Sequence, residues 1–191
     1  TGLREALPTG AVPGAPCQAQ LLPIRKEGIV IPSEVSFTAV CGNVHAYSGD
    51  LRIACRAASL GHYWNEIRVQ GGAYGTGLLV RETGLVSAYT YRDPDCRRSR
   101  GAIGRTAYLE AAGASGEAQD VNIIGAISDA EPLLSPRLQG AVADAWLLKG
   151  MTMDDRRRMR HELLDAGPAS LAACAGQIGS ALDSGVVCAL G

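Results

Sequence analysis

The chain has 191 residues, of which 47% are hydrophobic, 19% charged and 5% aromatic. This length suits one domain with a full core, or one domain with a tail. A formal net charge of −1 argues against a nucleic-acid surface, which would need a basic excess to neutralise phosphates. The sequence has no run of about 18 apolar residues, so no membrane-spanning helix is predicted.

Residues 1–33 are dominated by Pro, Gly and Ala, which predicts an extended connector before a domain over residues 34–191. The first strand is predicted over residues 34–41. Its alternation places four apolar side chains on one face: Val35, Phe37, Ala39 and Cys41.

Asp50 is expected to cap a helix that packs on the sheet through one apolar stripe. The stripe consists of Ile53, Ala57, Leu60, Trp64 and Ile67. Two strand-like runs follow, over residues 74–81 and 85–91, and the turn at residues 82–84 predicts a hairpin. Pro94 is expected to end the second strand.

The rest of the chain is predicted to be helical until its final strand. Weak helices are expected over residues 97–112 and 116–130. Better start and stop signals follow: Ser135-Pro136, Gly150, Thr152 and Gly167-Pro168. The last helix has an apolar stripe of Leu171, Ala175, Ile178 and Leu182, and a strand follows over residues 186–190. Because strands and helices do not alternate, we expect an α+β fold, with an antiparallel sheet covered on one side by helices.

Six cysteines lie far apart and form no Cys-x-x-Cys pair, so neither a zinc ribbon nor a redox dithiol is expected. Apolar neighbours predict reduced, buried thiols at Cys41, Cys55, Cys174 and Cys188. Reduced thiols are typical of a reducing compartment. The expected location is therefore the bacterial cytoplasm, or an organellar matrix in a eukaryote.

The glycine-rich segment over residues 71–77 does not match known phosphate-binding motifs. Leu78 stands where a Walker loop needs lysine, and Val80 stands where a dinucleotide fingerprint needs its third glycine. The segment instead predicts a helix that exits into a strand through unusual backbone angles. A module that binds a small molecule through this loop is one alternative function.

No metal site is predicted within the chain. His62 and Glu66 can share a helix face, but a zinc site needs at least three protein ligands. His161 and Glu162 belong to a very polar helix and are expected to be solvated. The sequence also has no Gly-x-Ser-x-Gly nucleophile motif.

Residues 64–75 and 87–94 resemble the C-terminal part of presequence-protease-like metallopeptidases, which belong to the pitrilysin/insulinase superfamily. Residues 123–129, 134–136 and 149–152 continue the resemblance in the same order and spacing. The similarity runs from about residue 31 to the end of the chain.

The resemblance implies a non-zinc half of an enzyme whose two halves close around an unfolded peptide. The zinc-binding His-x-x-Glu-His motif belongs to the N-terminal half of such enzymes and does not occur in this chain. The chain alone is therefore expected to hold no zinc or other cofactor and to be inactive. Its expected partners are an unfolded peptide and the N-terminal zinc half, and neither nucleic acid nor a membrane.

The resemblance also implies a role for Arg68 and Tyr74. In that role they hold the substrate backbone and stabilise the oxyanion of the scissile bond, while Gly71, Gly72 and Gly75 let the peptide backbone approach. Without the resemblance, the sequence would favour a surface ion pair for Arg68 and a place in the core for Tyr74. The alternative function is a non-catalytic scaffold or partner subunit with the same fold.

Overall fold

A computed structural model describes Pro23, residues 26–104 and residues 116–191. The strands in these ranges are β1 (Lys26–Ile29), β2 (Ser36–Asn43), β3 (Gly75–Val80), β4 (Leu85–Asp93) and β5 (Val186–Leu190). The helices are α1 (Gly49–Ala58), α2 (Ser59–Val69), α3 (Cys96–Gly104), α4 (Glu117–Ala130), α5 (Pro136–Lys149), α6 (Met153–Asp165) and α7 (Pro168–Asp183). The predicted connector up to residue 22 and the predicted helix beyond residue 104 lie outside the described residues.

The strands form one mixed sheet in the order β1-β5-β2-β4-β3. Strand β2 pairs antiparallel with β4 and β5, β3 pairs antiparallel with β4, and β1 runs parallel to β5. The predicted α+β class is confirmed, but the sheet is not wholly antiparallel. Because β1 and β2 flank β5 and the chain reverses between them, only one of the two can be antiparallel to β5.

Strand β1 lies within the segment predicted to be an extended connector. All four of its residues are exposed, and their backbones pair in register from Lys26 with Val187 to Ile29 with Leu190. The pairing continues where Gly191 N–H donates to the Ile29 carbonyl over 3.0 Å. A strand held by its backbone alone has no alternating side-chain pattern, so the sequence carried no signal for it.

The helices cover the less apolar face of β2. The buried side chains of β2 are Ser36, Thr38, Val40 and Gly42, whereas Val35, Phe37, Ala39 and Cys41 share the other face, as predicted, and are only partly buried. The small residues lie on the covered face because β2 packs closely against α7, where a Cβ on Gly42 would overlap the carbonyl of Ala181. The more apolar set faces the other side of the sheet, which we call the open face.

The N-cap of helix α1 is Ser48 and not Asp50, so the helix begins at Gly49. The Ser48 hydroxyl accepts a hydrogen bond from Leu51 N–H over 3.3 Å, and Asp50 lies in the first turn. An acidic side chain there is favoured by the positive end of the helix dipole. The predicted cap was therefore displaced by two residues.

Helix α2 continues α1 without a break but is wound as a π-helix, as in the bond from Gln70 N–H to the Asn65 carbonyl. The wider winding rotates the side chains that follow Ser59. Tyr63 and Ile67 are fully buried, whereas Leu60 and Trp64 are 50% and 41% exposed. The prediction that Leu60 and Trp64 belong to the core stripe is wrong because it assumed one α-helical period throughout.

The remaining start and stop signals are confirmed where the structure describes them. Gly84 closes the β3–β4 hairpin at a φ of 82°, Pro94 follows the last residue of β4, and Gly150 ends α5 at a φ of 68°. Thr152 forms a capping box with Asp155, and its hydrogen bonds lower the pKa of that carboxyl. None of the helices in the described ranges is long and apolar enough to cross a membrane.

The core lies between the sheet and helices α1 and α7. The predicted stripe of α7 is confirmed, since Leu171, Ala175, Ile178 and Leu182 are all buried. Two thiols also lie here. Burial raises the pKa of Cys55 well above its usual range, and it raises the pKa of Cys174 to about 11. Cys41 and Cys188 are only partly buried, so the expectation of buried thiols holds for Cys55 and Cys174 alone.

Thiol labelling should separate these cysteines. At pH 7.5 we expect N-ethylmaleimide to modify Cys174 about a hundredfold more slowly than a thiol of ordinary pKa, because the thiolate is the nucleophile. Cys96, which is only partly buried, should react faster than Cys174. Peptide mapping by mass spectrometry measures both rates, and urea should equalise them. Equal rates in the native protein would contradict the burial of Cys174.

Gly42→Ala should destabilise the fold by about 2–3 kcal/mol, because a backbone carbonyl cannot rotate away from the new methyl group. Gly140→Ala is the matched control, since Gly140 lies in α5 with open space around its Cβ position. The control should gain up to about 1 kcal/mol from helix propensity. Urea denaturation measures both changes. Equal stability of the two variants would contradict the close approach of β2 and α7.

Candidate functional site

The candidate site lies where α2 ends and β3 begins, at one end of the open face. Its position is fixed by Ser59 at the start of α2. The Ser59 hydroxyl accepts from Leu78 N–H over 2.7 Å, and its oxygen lies 2.8 Å from the Cys55 carbonyl and 3.0 Å from the Leu78 carbonyl, one of which receives its hydrogen. The π-helix is thereby tied to the outer edge of β3.

Arg68 lies in the last turn of α2 with its guanidinium over an aromatic ring. Its Cζ atom is 4.1 Å from the ring centroid of Trp64, a cation–π distance. The guanidinium has no ion pair or hydrogen bond to any described residue. The ring therefore orients the cation from one face and leaves the N–H donors at its edge available.

Two glycines turn the chain from Arg68 toward Tyr74. Gly72 adopts a φ of 79°, and its N–H donates to the Arg68 carbonyl over 3.0 Å. At Gly71 a Cβ would overlap the carbonyl of Ile67, so glycine is needed there too. The predicted helix exit through unusual backbone angles is confirmed. A Cβ on Gly75 would make only ordinary contact with Tyr91, at 3.7 Å.

The side chain of Tyr74 is 66% exposed. Its position is fixed by a backbone hydrogen bond and by a contact between its ring and a neighbouring ring. Its N–H donates to the Arg92 carbonyl over 3.2 Å, which fastens the start of β3 to β4. Its ring centroid lies 5.8 Å from that of Tyr91, and Tyr91 in turn lies 5.2 Å from Phe37. Both contacts are edge-to-face, the arrangement that aromatic rings favour. Tyr74 is therefore not the core aromatic of the alternative interpretation.

The open face continues this aromatic row along the sheet. Tyr89 lies across Gly77, where a Cβ would come within 2.9 Å of the tyrosine oxygen. Leu79, at 52% exposed, extends the apolar surface further along β3. The family resemblance pointed to Arg68 and Tyr74 but not to the residues that support them, Trp64, Tyr91 and Phe37. The four-residue step from Trp64 to Arg68 on a helix was the available signal for the first of these.

The described residues contain no group of three or more His, Cys, Asp or Glu side chains that could hold a metal ion. His62 lies with one ring nitrogen 3.2 Å from the Ala102 carbonyl. Glu162, far from it, accepts a hydrogen bond from Gly49 N–H over 2.9 Å. The arrangement at the site is thus one of hydrogen-bond donors and aromatic surface, which suits a peptide backbone more than a metal.

Comparison with known proteins gives a family match over most of the chain. A family model described as the PreP C-terminal domain matches residues 26–186. Presequence protease 1, chloroplastic/mitochondrial, of Arabidopsis thaliana is 30% identical over 149 residues, which cover 75% of this chain and 14% of that protein. Protein HypA of Clostridium perfringens is 27% identical over 172 residues, 87% of this chain and 18% of that protein. The chain thus spans less than a fifth of the length of these relatives.

The fold also matches solved structures. The inactive peptidase domain of a zinc protease from Bordetella parapertussis superposes with a TM-score of 0.64 at 14% identity. The match covers 84% of this chain and 92% of that domain. At this identity the likeness concerns the fold.

The Arg68–Trp64 contact can be measured as a coupling energy. A double-mutant cycle of Trp64→Leu and Arg68→Gln should give about 0.5–1 kcal/mol in urea denaturation, as expected for an exposed cation–π pair. The pair of Arg156 and Trp146, whose Cζ-to-centroid distance is 3.9 Å, is the matched control and should give a similar value. A coupling below about 0.2 kcal/mol at Arg68 alone would mean that the ring does not orient the guanidinium.

Proposed function

The chain belongs to the PreP C-terminal domain family, within the pitrilysin/insulinase superfamily, and from this premise we propose that it is the substrate-binding, chamber-closing domain of a zinc metallopeptidase that degrades unfolded peptides. The observation that carries the proposal is the pairing of two available donors, the half-buried Arg68 and the exposed Tyr74, at the two ends of one tight turn. Each is oriented by an aromatic ring and neither donor group is consumed by a described residue.

The proposed chemistry follows from these two side chains. A guanidinium offers several N–H donors in a plane and a phenol offers one O–H. Donors of this kind are suited to a peptide carbonyl oxygen, because they interact more strongly as that oxygen gains negative charge. Arg68 and Tyr74 would therefore position the scissile carbonyl and stabilise its oxyanion. The orientation by Trp64 and Tyr91 means that little reorganisation is needed when charge develops.

Zinc is proposed to come from the N-terminal half of the same protein. The described residues of this chain do not fit a metal site, so no step of the reaction is assigned to a metal held here. We propose accordingly that the isolated domain is inactive and works together with the zinc half. The expected location stays the bacterial cytoplasm or, in a eukaryote, an organellar matrix.

The apolar open face supports a peptide partner. Phe37, Tyr89, Tyr91 and Leu79 present aromatic and aliphatic surface beside the two donors. An unfolded peptide exposes side chains that a folded protein buries, and such a surface binds them without requiring one sequence. A peptide that adds as a strand to the β3 edge would have to avoid Leu78, since Ser59 already occupies its backbone groups.

The test uses the whole protein that carries this domain, identified by an in-frame His-x-x-Glu-His motif upstream. Arg68→Ala should lower kcat for an unstructured peptide by about 10²–10³, and Tyr74→Phe should lower it about tenfold or more. Zinc content should stay unchanged in both variants, because neither residue holds the metal. Arg157→Ala is the control, since Arg157 pairs with Asp154 on the exposed face of α6.

Two outcomes would overturn the proposal. Turnover of Arg68→Ala and Tyr74→Phe within twofold of the parent protein would remove the assigned role. The lack of any zinc half, in the same frame or in a partner gene, would favour the scaffold alternative. A loss of kcat that is accompanied by a loss of zinc would point to misfolding instead, and Arg68→Lys would then separate charge from structure.

A further inference from the structure

Arg92 has an unusual backbone conformation for its residue type. Its φ is 49°, and it is the sole residue other than glycine with a positive φ in the described ranges. The left-handed region brings a Cβ close to the backbone, so glycine and asparagine occupy it far more readily. The described glycines with positive φ include Gly72 and Gly84, which both lie at turns. Nothing in the backbone geometry at residue 92 favours arginine over glycine.

The conformation arises from a β-bulge at the end of β4. Between the pairs Thr38–Thr90 and Ser36–Asp93, β2 has one residue while β4 has two. Bulges of this kind redirect side chains and are common beside functional sites. Arg92 is the bulged residue next to Tyr91.

The hydrogen bonds around the bulge hold it in place. The Arg92 carbonyl accepts from Tyr74 N–H over 3.2 Å, so the bulge and the candidate site share one backbone contact. On its other side, the Asp93 carbonyl accepts from the Ser36 hydroxyl over 2.8 Å, and Asp93 is fully buried. The Arg92 side chain therefore starts from a fixed point one hydrogen bond away from Tyr74.

The Arg92 guanidinium is exposed and unpaired. Among the described residues, no carboxylate oxygen lies within 4.0 Å of it, and no hydrogen bond from it is found. Arg98, by contrast, donates to the Gln70 carbonyl over 2.8 Å. Arg92 thus resembles Arg68 in having donors that no group of residues 26–104 or 116–191 uses.

The acidic side chains close to Arg92 in sequence do not pair with it. Asp93 Oδ1 accepts from Asp95 N–H over 3.0 Å, and Asp93 Oδ2 is buried without a partner among the described residues. Asp95 Oδ1 accepts from two N–H groups at the start of α3, and Glu66 accepts from Gln70 on α2. Residues 66–75 and 91–98 together contain four arginines and three acidic residues, an excess of one positive charge.

We propose that Arg92 is a substrate-selecting residue that binds a carboxylate of the peptide held by Arg68 and Tyr74. The inference rests on the proposed function. An arginine is suited to this task because its planar fork binds a carboxylate through two parallel hydrogen bonds. The carboxylate can come from an acidic side chain or from the C-terminus of the peptide. An extended peptide rises about 3.3 Å per residue, so the acidic group would lie within a few residues of the scissile bond.

The experiment measures kcat/KM of the whole protein on matched unstructured peptides: a neutral one, one with a single Glu moved along the sequence, and one with a free instead of an amidated C-terminus. We expect the parent protein to prefer one of the acidic peptides by about tenfold, since charge-assisted pairs are the stronger ones. Raising the salt from 0.1 to 0.5 M should reduce the preference.

Arg92→Gly is the informative variant, because glycine accepts the left-handed conformation and the fold should be kept. It should abolish the preference for the acidic peptide while leaving kcat/KM on the neutral peptide within about twofold. Arg92→Lys should keep part of the preference, and Arg157→Ala should keep all of it. The peptide that loses its advantage identifies the source of the carboxylate.

The outcomes separate this inference from the proposed function. An unchanged acidic preference in Arg92→Gly, or no preference in the parent protein, would overturn the role of Arg92 while leaving Arg68 and Tyr74 in place. An equal loss on neutral and acidic peptides would also overturn it, because Arg92 would then act on the turn and not on the substrate. Failure of the proposed function would appear instead as unchanged turnover in Arg68→Ala.

Discussion

The hydroxyl of Ser59 is the contact on which the geometry of the site depends. It lies where the α-helical winding of α1 changes to the π-helical winding of α2, and it bonds to the backbone of Leu78 in the edge strand β3. The Ser59 side chain therefore occupies the outward backbone groups of Leu78 and fixes the distance between α2 and β3. The turn from Arg68 to Tyr74 joins these same two elements, so its two ends are held by a contact a full helix length away.

The change of winding also decides which residues reach the surface. Had α1 continued as an α-helix, Leu60 and Trp64 would have faced the core with Ile53 and Ala57. The π-helix instead places Tyr63 inside and brings Trp64 outward, beneath Arg68. A π-helix is less favourable than an α-helix and is found frequently at functional sites. Here it supplies the aromatic support for a cation that no carboxylate in the described part of the chain neutralises.

Local signals in the sequence predicted most of the elements. The Gly84 turn, the Thr152 cap, the Gly150 stop and the stripe of α7 depend on residues close in sequence, and each lies where it was expected. The family resemblance, on residues 64–94, led to Arg68 and Tyr74, and the family itself is confirmed by the match over residues 26–186. Whether the two side chains act on a substrate stays a prediction.

The features that could not be predicted depend on contacts between distant segments. The apolar stripe of α1 and α2 was interpreted with the α-helical period of 3.6 residues per turn, and nothing in its spacing indicates the π-helical winding. The alternation of β2 does not indicate which of its faces the helices cover, because the open face is the more apolar one, contrary to the usual rule that apolar side chains point to the core. That inversion is itself informative, since an apolar face without a helix over it is typical of a surface that meets another molecule.

The parallel pairing of β1 with β5 has a consequence for how this domain connects to anything joined to it. Ile29 and Gly191 are joined by a backbone hydrogen bond and lie at the end of the sheet where Phe37 and the aromatic row begin. A polypeptide joined after Gly191 would therefore leave next to the open face. A fluorescent reporter of peptide arrival is best attached there, and a bulky purification tag at that end would lie beside the same surface.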